Sequence, residues 1–278
     1  MMSSAKVTGN TLRMMKKKGE KIAAITSYDY LSTRMIDDTG IDFILVGDSL
    51  GMVVMGYQNT LPVTMEDIIH HLRTVARARP RAFVAADMPF MSYQVSIEQA
   101  VRNAGRLVKE GGAEGVKLEG GSRNARAIEK IIESSIPVVG HIGLTPQSLH
   151  QFGGYKVQGK DKDSARMLVE DAVSLEEAGC CCIVVEGVPW QVAEEITESV
   201  KIPTIGIGAG KYCDGQILVI QDMLGINEVP LPRFVKTYDN IGERMKNAIE
   251  TYVQEVKKGE FPEMDHSYSF NKNSRVRR

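Results

Sequence analysis

The sequence predicts a closed (β/α)8 barrel, a TIM barrel, and two patterns carry that prediction. Eight short apolar segments bounded by Gly and Pro have the length and composition of strands that are buried on both faces. Amphipathic segments with helical periodicity separate most of them, which indicates right-handed crossovers and a parallel sheet. Eight such units in about 250 residues favour a closed barrel over an open doubly wound sheet.

The predicted strands follow one another without a repeat of solenoid length or a Pro/Ser-rich linker. We therefore expect one catalytic domain over residues 1–270. Residues 271–278 are polar and basic without periodicity, and we expect them to form a disordered tail. The eight predicted strands are Ile22–Thr26, Phe43–Val46, Ala82–Ala86, Gly115–Leu118, Pro137–Gly140, Cys182–Val185, Thr204–Ile207 and Gln216–Ile220.

The helical segments are recognised by capping residues at their start, by glycines at their end and by apolar residues at helical spacing. The first is an extra N-terminal helix, which we expect to cover the amino-terminal end of the barrel, and the last would close the fold. The predicted helices are Thr8 to Lys18, one opened by Thr64–Asp67, one from Ser96 to Gly111, one from Asp163 to Gly179 and one from Asp239 to Lys258.

Composition excludes several classes of protein. Among 278 residues, 34 Lys and Arg against 35 Asp and Glu leave a net charge of −1, which gives no electrostatic case for nucleic acid or an anionic membrane. No apolar run approaches a membrane span, and the N-terminus lacks a signal-peptide core. Cys180, Cys181 and Cys182 are adjacent and lack the usual zinc spacings, so with Cys213 we expect them to be reduced and buried, in a cytoplasmic protein.

Four of the predicted strands end in an acidic residue. A carboxylate at the carboxyl end of a buried parallel strand lies where such folds place their active sites. Like charges gathered in one pocket raise one another's pKa or require a cation, and Mg²⁺ prefers carboxylate oxygens. Taken singly, each acid could equally form a structural salt bridge or cap a helix. The four that together predict a site for a divalent metal are Asp48, Asp87, Glu119 and Glu186.

Alternation along one strand adds a lysine to this pocket. In the segment Val116–Glu119, Lys117 and Glu119 share one face, and the valine and leucine share the other. The apolar pair suits the helix-packed outside, so Lys117 and Glu119 are expected to point inward at the barrel mouth. His141 also follows a predicted strand, which favours a functional role over that of a satisfied polar residue.

Two glycine-rich segments have competing interpretations. Gly206–Gly210 lacks the spacing of a dinucleotide-binding fingerprint, and we interpret it as a close approach of the backbone at the barrel mouth. Phe152–Gly159 has the character of a lid, although a plain surface loop explains it equally well.

The strings that carry these residues resemble those of the ketopantoate hydroxymethyltransferase family, in the family's order, from about Thr26 to Val219. No single string would suffice. They are TSYDY, LVGDSLGMVVMGYQNTLPVT, ADMPFMSY, VKLEGG, GHIGLTPQS, FGGYKVQGK, VVEGVP, and IPTIGIGAG followed by DGQILV.

The resemblance implies a barrel of the phosphoenolpyruvate-binding superfamily type, assembled as a homodecamer, with Mg²⁺ or another divalent metal. It also implies transfer of a one-carbon unit from 5,10-methylenetetrahydrofolate to 3-methyl-2-oxobutanoate, a step towards pantothenate and coenzyme A. By matching strings, Glu186 is the proton acceptor, the metal ligands are Asp48 and Asp87 with Glu119 nearby through water, and the substrate contacts are Asp48, Ser49, Asp87, Lys117 and His141.

The implied chemistry suits these residue types. A C–H next to a ketone is a weak acid, and chelation of a 2-oxo acid by Mg²⁺ would stabilise the enolate. Glu186 has no cation adjacent in its motif, so we expect a carboxylate base whose pKa is set by its pocket. Lys117 would offset the charge of the substrate carboxylate, and Ser49 could donate a hydrogen bond to it.

Other functions stay open at this point. A Mg²⁺-dependent lyase or mutase of the isocitrate lyase or phosphoenolpyruvate mutase type shares the chemistry of metal and oxo acid, but it would need a catalytic Cys loop or a phosphonate site. A Schiff-base aldolase using Lys117 would not need the surrounding acids. A non-catalytic barrel is the alternative from another class, and the acidic mouth argues against it.

Overall fold

The computed structural model describes residues 5–227 and 230–269. Its eight parallel strands close into a barrel in chain order, and the last strand pairs with the first. This confirms the predicted fold class and all eight predicted strands. The strands are β1 Ile22–Thr26, β2 Phe43–Val46, β3 Phe83–Asp87, β4 Gly115–Glu119, β5 Val138–Gly143, β6 Cys182–Glu186, β7 Thr204–Ile207 and β8 Gly215–Leu218.

Several strands end later than the apolar pattern predicts. β3, β4 and β6 each extend by one residue and include the acidic residue that was expected to follow them. The pairing register explains the difference, because Asp87 lies opposite Lys117 and Glu119 lies opposite His141 in the ladder. Asp87, Lys117, Glu119, His141 and Glu186 are therefore held by the sheet itself, whereas Asp48 lies in the turn after β2.

Helices surround most of the barrel. Short 3₁₀ turns and one π-helical turn, Leu107–Gly111, connect them. The α-helices are α1 Gly9–Lys18, α2 Tyr30–Asp37, α3 Leu50–Val53, α4 Met65–Arg77, α5 Ile97–Arg106, α6 Ala125–Glu133, α7 Leu149–Phe152, α8 Lys162–Glu177, α9 Trp190–Ser199, α10 Ile220–Met223 and α11 Ile241–Lys258.

Helix α1 covers the amino-terminal end of the barrel, as expected. Leu12 is fully buried in a cluster with barrel-interior residues such as Phe43 and Phe83. The Arg13 guanidinium donates to the Cys180 carbonyl at 2.7 Å, and Lys16 lies 2.9 Å from the Asp214 carboxylate. Burial of one such leucine contributes about 1.5–3 kcal/mol, so α1 is part of the fold's core.

The predicted helix starts are mostly confirmed. Thr64 caps α4 and forms a reciprocal capping box with Asp67. Ser96 caps α5 by accepting from the Gln99 amide, without the reciprocal bond of a capping box. The start predicted at Asp163 is wrong: Asp161, in extended conformation, accepts from the Ser164 amide at 2.9 Å and caps α8.

The last helix does not close the fold in the way the sequence predicted. It begins at Ile241 rather than Asp239, and none of its residues is buried. The apolar stripe of α11 therefore lies on the surface, since no barrel strand or helix among the described residues covers it. The exposed apolar residues of this stripe are Met245, Ile249, Tyr252, Val253 and Val256.

All four cysteines are free and buried, as expected. In the described ranges, no helix combines the length and apolar character needed to cross a membrane. The predicted tail at 271–278 lies outside the described residues.

Candidate active site

The structure brings most of the predicted site residues together at the carboxyl ends of β2 to β6. Asp48 and Asp87 meet because the Asp48 amide donates to Asp87 Oδ2 at 2.9 Å. Lys117 Nζ lies 2.9 Å from Asp87 Oδ1 and 3.2 Å from His141 Nδ1. Because these four residues and Glu119 are all buried, their charges interact strongly.

Lys117 is the cation of this buried cluster. Burial alone would lower its pKa, but the nearby carboxylates of Asp87, Glu119 and Asp48 outweigh burial and raise it above the ordinary lysine value. The amine is therefore protonated at neutral pH. A Schiff-base aldolase needs a neutral amine, so this arrangement disfavours the aldolase function for Lys117.

His141 lies between two carboxylates. Its Nδ1 is 3.4 Å from Glu119 Oε1, and its Nε2 is 3.3 Å from Glu186 Oε2. Burial and the charge of Lys117 both lower the pKa of His141. The neighbouring carboxylates of Glu119 and Glu186 outweigh these two effects, so the pKa lies above the ordinary histidine value. Glu186 has no cation adjacent in its motif, and the fold supplies this imidazole as a neighbour.

Glu186 differs from the other acids in its exposure. Its side chain is 17% exposed, whereas those of Asp87 and Glu119 are 3% and 2% exposed. It is thus the most accessible of these three carboxylates to a molecule in the barrel mouth.

The buried carboxylates fit a small divalent cation. Burial, and then repulsion from Asp87 and Glu119, raises the pKa of Asp48 well above its usual range. Asp87 Oδ1 is buried and forms an ion pair with Lys117 Nζ at 2.9 Å. In the described part of the chain, no three His, Cys, Asp or Glu side chains form a ready-made metal site. Two carboxylates with water and substrate oxygens are the usual protein environment of Mg²⁺.

Ser49 lies beside this cluster and has a partner that the sequence analysis did not single out. Its hydroxyl is 2.8 Å from that of Tyr28, which is 3% exposed. Burial raises the pKa of Tyr28, so the phenol stays protonated and can hold the serine hydroxyl in place.

Two more buried residues, Tyr93 and Gln147, connect the acidic strand ends. The Gln147 side chain donates to Asp48 Oδ2 at 2.8 Å, and its backbone amide donates to Glu119 Oε2 at 2.9 Å. Both residues stand inside matched strings, ADMPFMSY and GHIGLTPQS, but their residue types alone gave no reason to select them.

The two glycine-rich segments differ in their contacts. A side chain at Gly208 or Gly210 would clash with Phe234 or Trp190, so Gly206–Gly210 permits close packing of these side chains against the backbone. Tyr155, in the segment with lid character, places its hydroxyl 3.7 Å from the sulfur of Met52. That segment is joined to the end of β6 by a bond from the Gln158 amide to the Gly187 carbonyl.

Comparison with known proteins gives a consistent result. A family model described as ketopantoate hydroxymethyltransferase matches residues 6–264. The 3-methyl-2-oxobutanoate hydroxymethyltransferase of Thermoanaerobacter sp. (strain X514) is 56% identical over 96% of this chain and 97% of its own. The protein of the same name from Geobacter metallireducens is 57% identical over 93% of this chain and 97% of its own.

Solved structures share the architecture at low sequence identity. A putative phosphonomutase from Burkholderia cenocepacia J2315 superposes with a TM-score of 0.61 at 15% identity, over 91% of this chain and 100% of that one. A 2,3-dimethylmalate lyase of the PEP mutase/isocitrate lyase superfamily has a TM-score of 0.57 at 14% identity, over 98% and 93%. At such identities the likeness concerns the fold alone, and that fold is the predicted barrel.

Proposed function

The chain belongs to the ketopantoate hydroxymethyltransferase family and forms ketopantoate from 3-methyl-2-oxobutanoate in pantothenate biosynthesis, and we propose that its acidic barrel mouth carries out this reaction with Glu186 as the base. The observation that carries the proposal is the position of Glu186. This partly exposed carboxylate lies at the end of β6, 3.3 Å from the imidazole of His141 and beside a buried cluster that contains Lys117. We propose 5,10-methylenetetrahydrofolate as the one-carbon donor, since the family's hydroxymethyl transfer requires such a donor.

Substrate binding follows from the charges of the mouth. The protonated Lys117 attracts the carboxylate of the oxo acid, although Asp87 already shares its charge. The Ser49 hydroxyl, held by Tyr28, donates a hydrogen bond to the same carboxylate. His141 Nε2 lies 3.3 Å from Glu186 Oε2, and we propose that it contacts the substrate beside this carboxylate.

Asp48 and Asp87 would hold the divalent metal, with Glu119 in contact with it through water. When bound, Mg²⁺ would act as a Lewis acid that polarises the keto group and so makes the neighbouring C–H more acidic. The raised pKa of Asp48 supports this assignment, since it indicates negative charge that the described side chains leave uncompensated.

Glu186 takes the proton from C3 of the oxo acid, because it is the accessible carboxylate of the mouth. The electron pair left at C3 then forms the new bond to the methylene carbon of the folate, whose two bonds to folate nitrogens break. One water supplies the hydroxyl group that stays on this carbon. The second proton of that water and the proton taken by Glu186 go to the two nitrogens, so that tetrahydrofolate leaves. His141 orients the Glu186 carboxylate during this step, and its Nε2 stays within reach of the transferred proton.

The homodecamer implied by the resemblance also belongs to this proposal. The uncovered apolar stripe of α11 supports association with other copies of the chain, because exposed apolar surface of this kind marks interaction sites. Sedimentation of Ile249→Lys against the unmodified protein tests it. A smaller assembly supports the proposal, and an unmodified protein that sediments as a monomer contradicts it.

We propose further that residues 1–270 act as one catalytic domain in the cytoplasm. The four reduced, buried cysteines support a reducing compartment. Fractionation of producing cells tests this location, and recovery of the activity outside the cytoplasm would contradict it.

Proton NMR of 3-methyl-2-oxobutanoate in D₂O tests the chemistry directly. With Mg²⁺ and methylenetetrahydrofolate we expect ketopantoate signals, and with Mg²⁺ alone we expect loss of the C3 proton signal. Exchange that needs the folate as well would mean that deprotonation waits for the second substrate. Failure to form ketopantoate with every component present would contradict the proposed function.

A further inference from the structure

We infer that Gln147 is a positioning residue that holds the carboxylates of Asp48 and Glu119 in the orientation from which they serve the metal. This inference rests on the proposed function, because it concerns the same site. It adds a role for a neutral side chain that neither binds the substrate nor ligates the metal.

Gln147 lies in the 3₁₀ turn Pro146–Ser148 after β5 and is only 6% exposed. Its Nε2 donates to Asp48 Oδ2 at 2.8 Å and to the Met88 carbonyl at 3.0 Å. Its backbone amide donates to Glu119 Oε2 at 2.9 Å. One residue of the β5 loop therefore holds two carboxylates that belong to the ends of β2 and β4.

The orientation of the Gln147 carboxamide is determined by its partners. The Met88 carbonyl and the Asp48 carboxylate only accept hydrogen bonds, so the atom that faces both must be the NH₂ group. The opposite atom, Oε1, accepts from the Tyr93 hydroxyl at 2.7 Å. A flipped amide would place oxygen against two acceptors and lose both bonds, which is costly inside the protein.

Tyr93 extends this network to the backbone of β4. Its hydroxyl oxygen accepts from the Glu119 amide at 3.2 Å while its proton points at Gln147. Burial raises the pKa of Tyr93, so the phenol keeps the proton that it donates. Gln147 and Tyr93 thus act as one unit, and removing the tyrosine hydroxyl should loosen the glutamine.

Gln147 contacts one oxygen of each carboxylate, Oδ2 of Asp48 and Oε2 of Glu119. The second oxygen of Glu119, Oε1, faces His141 Nδ1 at 3.4 Å, and Oδ1 of Asp48 is the oxygen that Gln147 leaves to the metal. A neutral donor suits this task, because it fixes repelling carboxylates without supplying a positive charge that would compete with the cation.

Binding of Mn²⁺, followed by electron paramagnetic resonance without substrate, tests the inference. The informative variant is Gln147→Met, which keeps the length of the side chain and the backbone amide. We expect it to bind Mn²⁺ about tenfold to hundredfold more weakly, the usual effect of removing a partner that orients a metal ligand. Tyr93→Phe should weaken binding less. The double variant should bind no more weakly than Gln147→Met, since both changes remove one unit.

Gln94→Leu is the matched control. The Gln94 side chain is exposed, and its Nε2 lies 3.4 Å from Gln147 Oε1 without touching a carboxylate. We expect this variant to bind Mn²⁺ within about twofold of the unmodified protein, because so long a hydrogen bond is weak. Circular dichroism establishes that each variant is folded.

The possible outcomes separate failure of the positioning role of Gln147 from failure of the proposed function. Unchanged Mn²⁺ affinity in folded Gln147→Met, or additive losses in the double variant, would overturn the positioning role while leaving the proposed function intact. If Gln147→Met does not fold, unchanged affinity in Tyr93→Phe overturns it in the same way. Failure of the unmodified protein to bind Mn²⁺ or Mg²⁺ would instead contradict the metal site of the proposed function, and the inference with it.

Discussion

His141 Nε2 lies 3.3 Å from Glu186 Oε2, so the proposed base has a buried imidazole as its neighbour. The two residues come from β5 and β6, whose register sets Gly143 opposite Glu186. In the protonated ring, and in the neutral ring with Lys117 donating to Nδ1, the Nε2 atom bears a proton. The imidazole therefore places an N–H group beside the Glu186 carboxylate at the mouth.

Glu186→Gln removes the base while preserving the size of the side chain. We expect exchange of the C3 proton to slow by about 10²–10⁴-fold, the usual contribution of a positioned base. Proton NMR in D₂O measures this rate with Mg²⁺, and with methylenetetrahydrofolate if exchange requires it. Glu198→Gln, on the exposed face of α9, is the control and should exchange at the unmodified rate. Exchange in Glu186→Gln at that same rate would assign the base to another residue.

Lys117→Met removes the buried cation and leaves the carboxylates around it unpaired. Without metal we expect a loss of about 3–5 kcal/mol in the free energy of unfolding, as is usual when one partner of a buried ion pair is removed. Urea unfolding in EDTA measures this loss, and added Mg²⁺ should restore part of it. Because the folded pKa of Lys117 is above its unfolded value, its stabilising effect is fully present at pH 7 and is lost only at strongly alkaline pH.

The control for this prediction is Lys130→Met. Lys130 pairs with Glu133 at the surface, where both side chains are at least half exposed, so its loss should cost less than about 1 kcal/mol. Equal stability of Lys117→Met and the unmodified protein in EDTA would show that the buried charges are compensated in another way.

Leu12→Ala opens a cavity at the bottom of the barrel. We expect a loss of about 2–5 kcal/mol in the free energy of unfolding, since Leu12 is fully buried among barrel residues. Chemical denaturation measures this free energy. Met14→Ala is the control, because Met14 lies on the same helix and is half exposed. The rate of ketopantoate formation by the folded variant should stay near that of the unmodified protein. Unchanged stability would mean that α1 does not cover the barrel end.

Cys180 and Cys213 should resist alkylation in the folded protein. Burial raises the pKa of both thiols, so a smaller fraction is thiolate at pH 8 than in an exposed cysteine. Mass spectrometry after iodoacetamide treatment, with and without denaturant, compares the two states. Rapid labelling of either thiol in the folded protein would contradict their burial.

The barrel could be predicted from the sequence because its evidence is local. Runs such as Phe43–Val46 are apolar throughout, as strands packed on both faces must be, and the start of α4 is marked by the Thr64–Asp67 capping box. Local signals also misled. Asp163 resembles a helix start, yet the capping bond is made by Asp161, whose extended backbone and spacing to Ser164 decide the matter.

The active site also combines residues that could be predicted from the sequence with residues that could not. The acidic strand ends were visible in the sequence, since strand periodicity and the position of active sites in such barrels are general rules. Gln147 and Tyr93 were not, because a buried amide and a phenol have no characteristic spacing to the carboxylates that they hold. Gln147 is 99 residues from Asp48 along the chain, and only closure of the barrel places them 2.8 Å apart.

The fold class, the strands and the chemical types gathered at the mouth can be predicted without coordinates, because each follows from short-range periodicity and from the residues at the strand ends. The tertiary structure decided which charges are neighbours: Lys117 with Asp87, and His141 with Glu119 and Glu186. It also decided that the stripe of α11 stays uncovered. Strand register and side-chain packing depend on residues that are far apart along the chain. Secondary-structure propensity and periodicity depend only on residues within a few positions of one another.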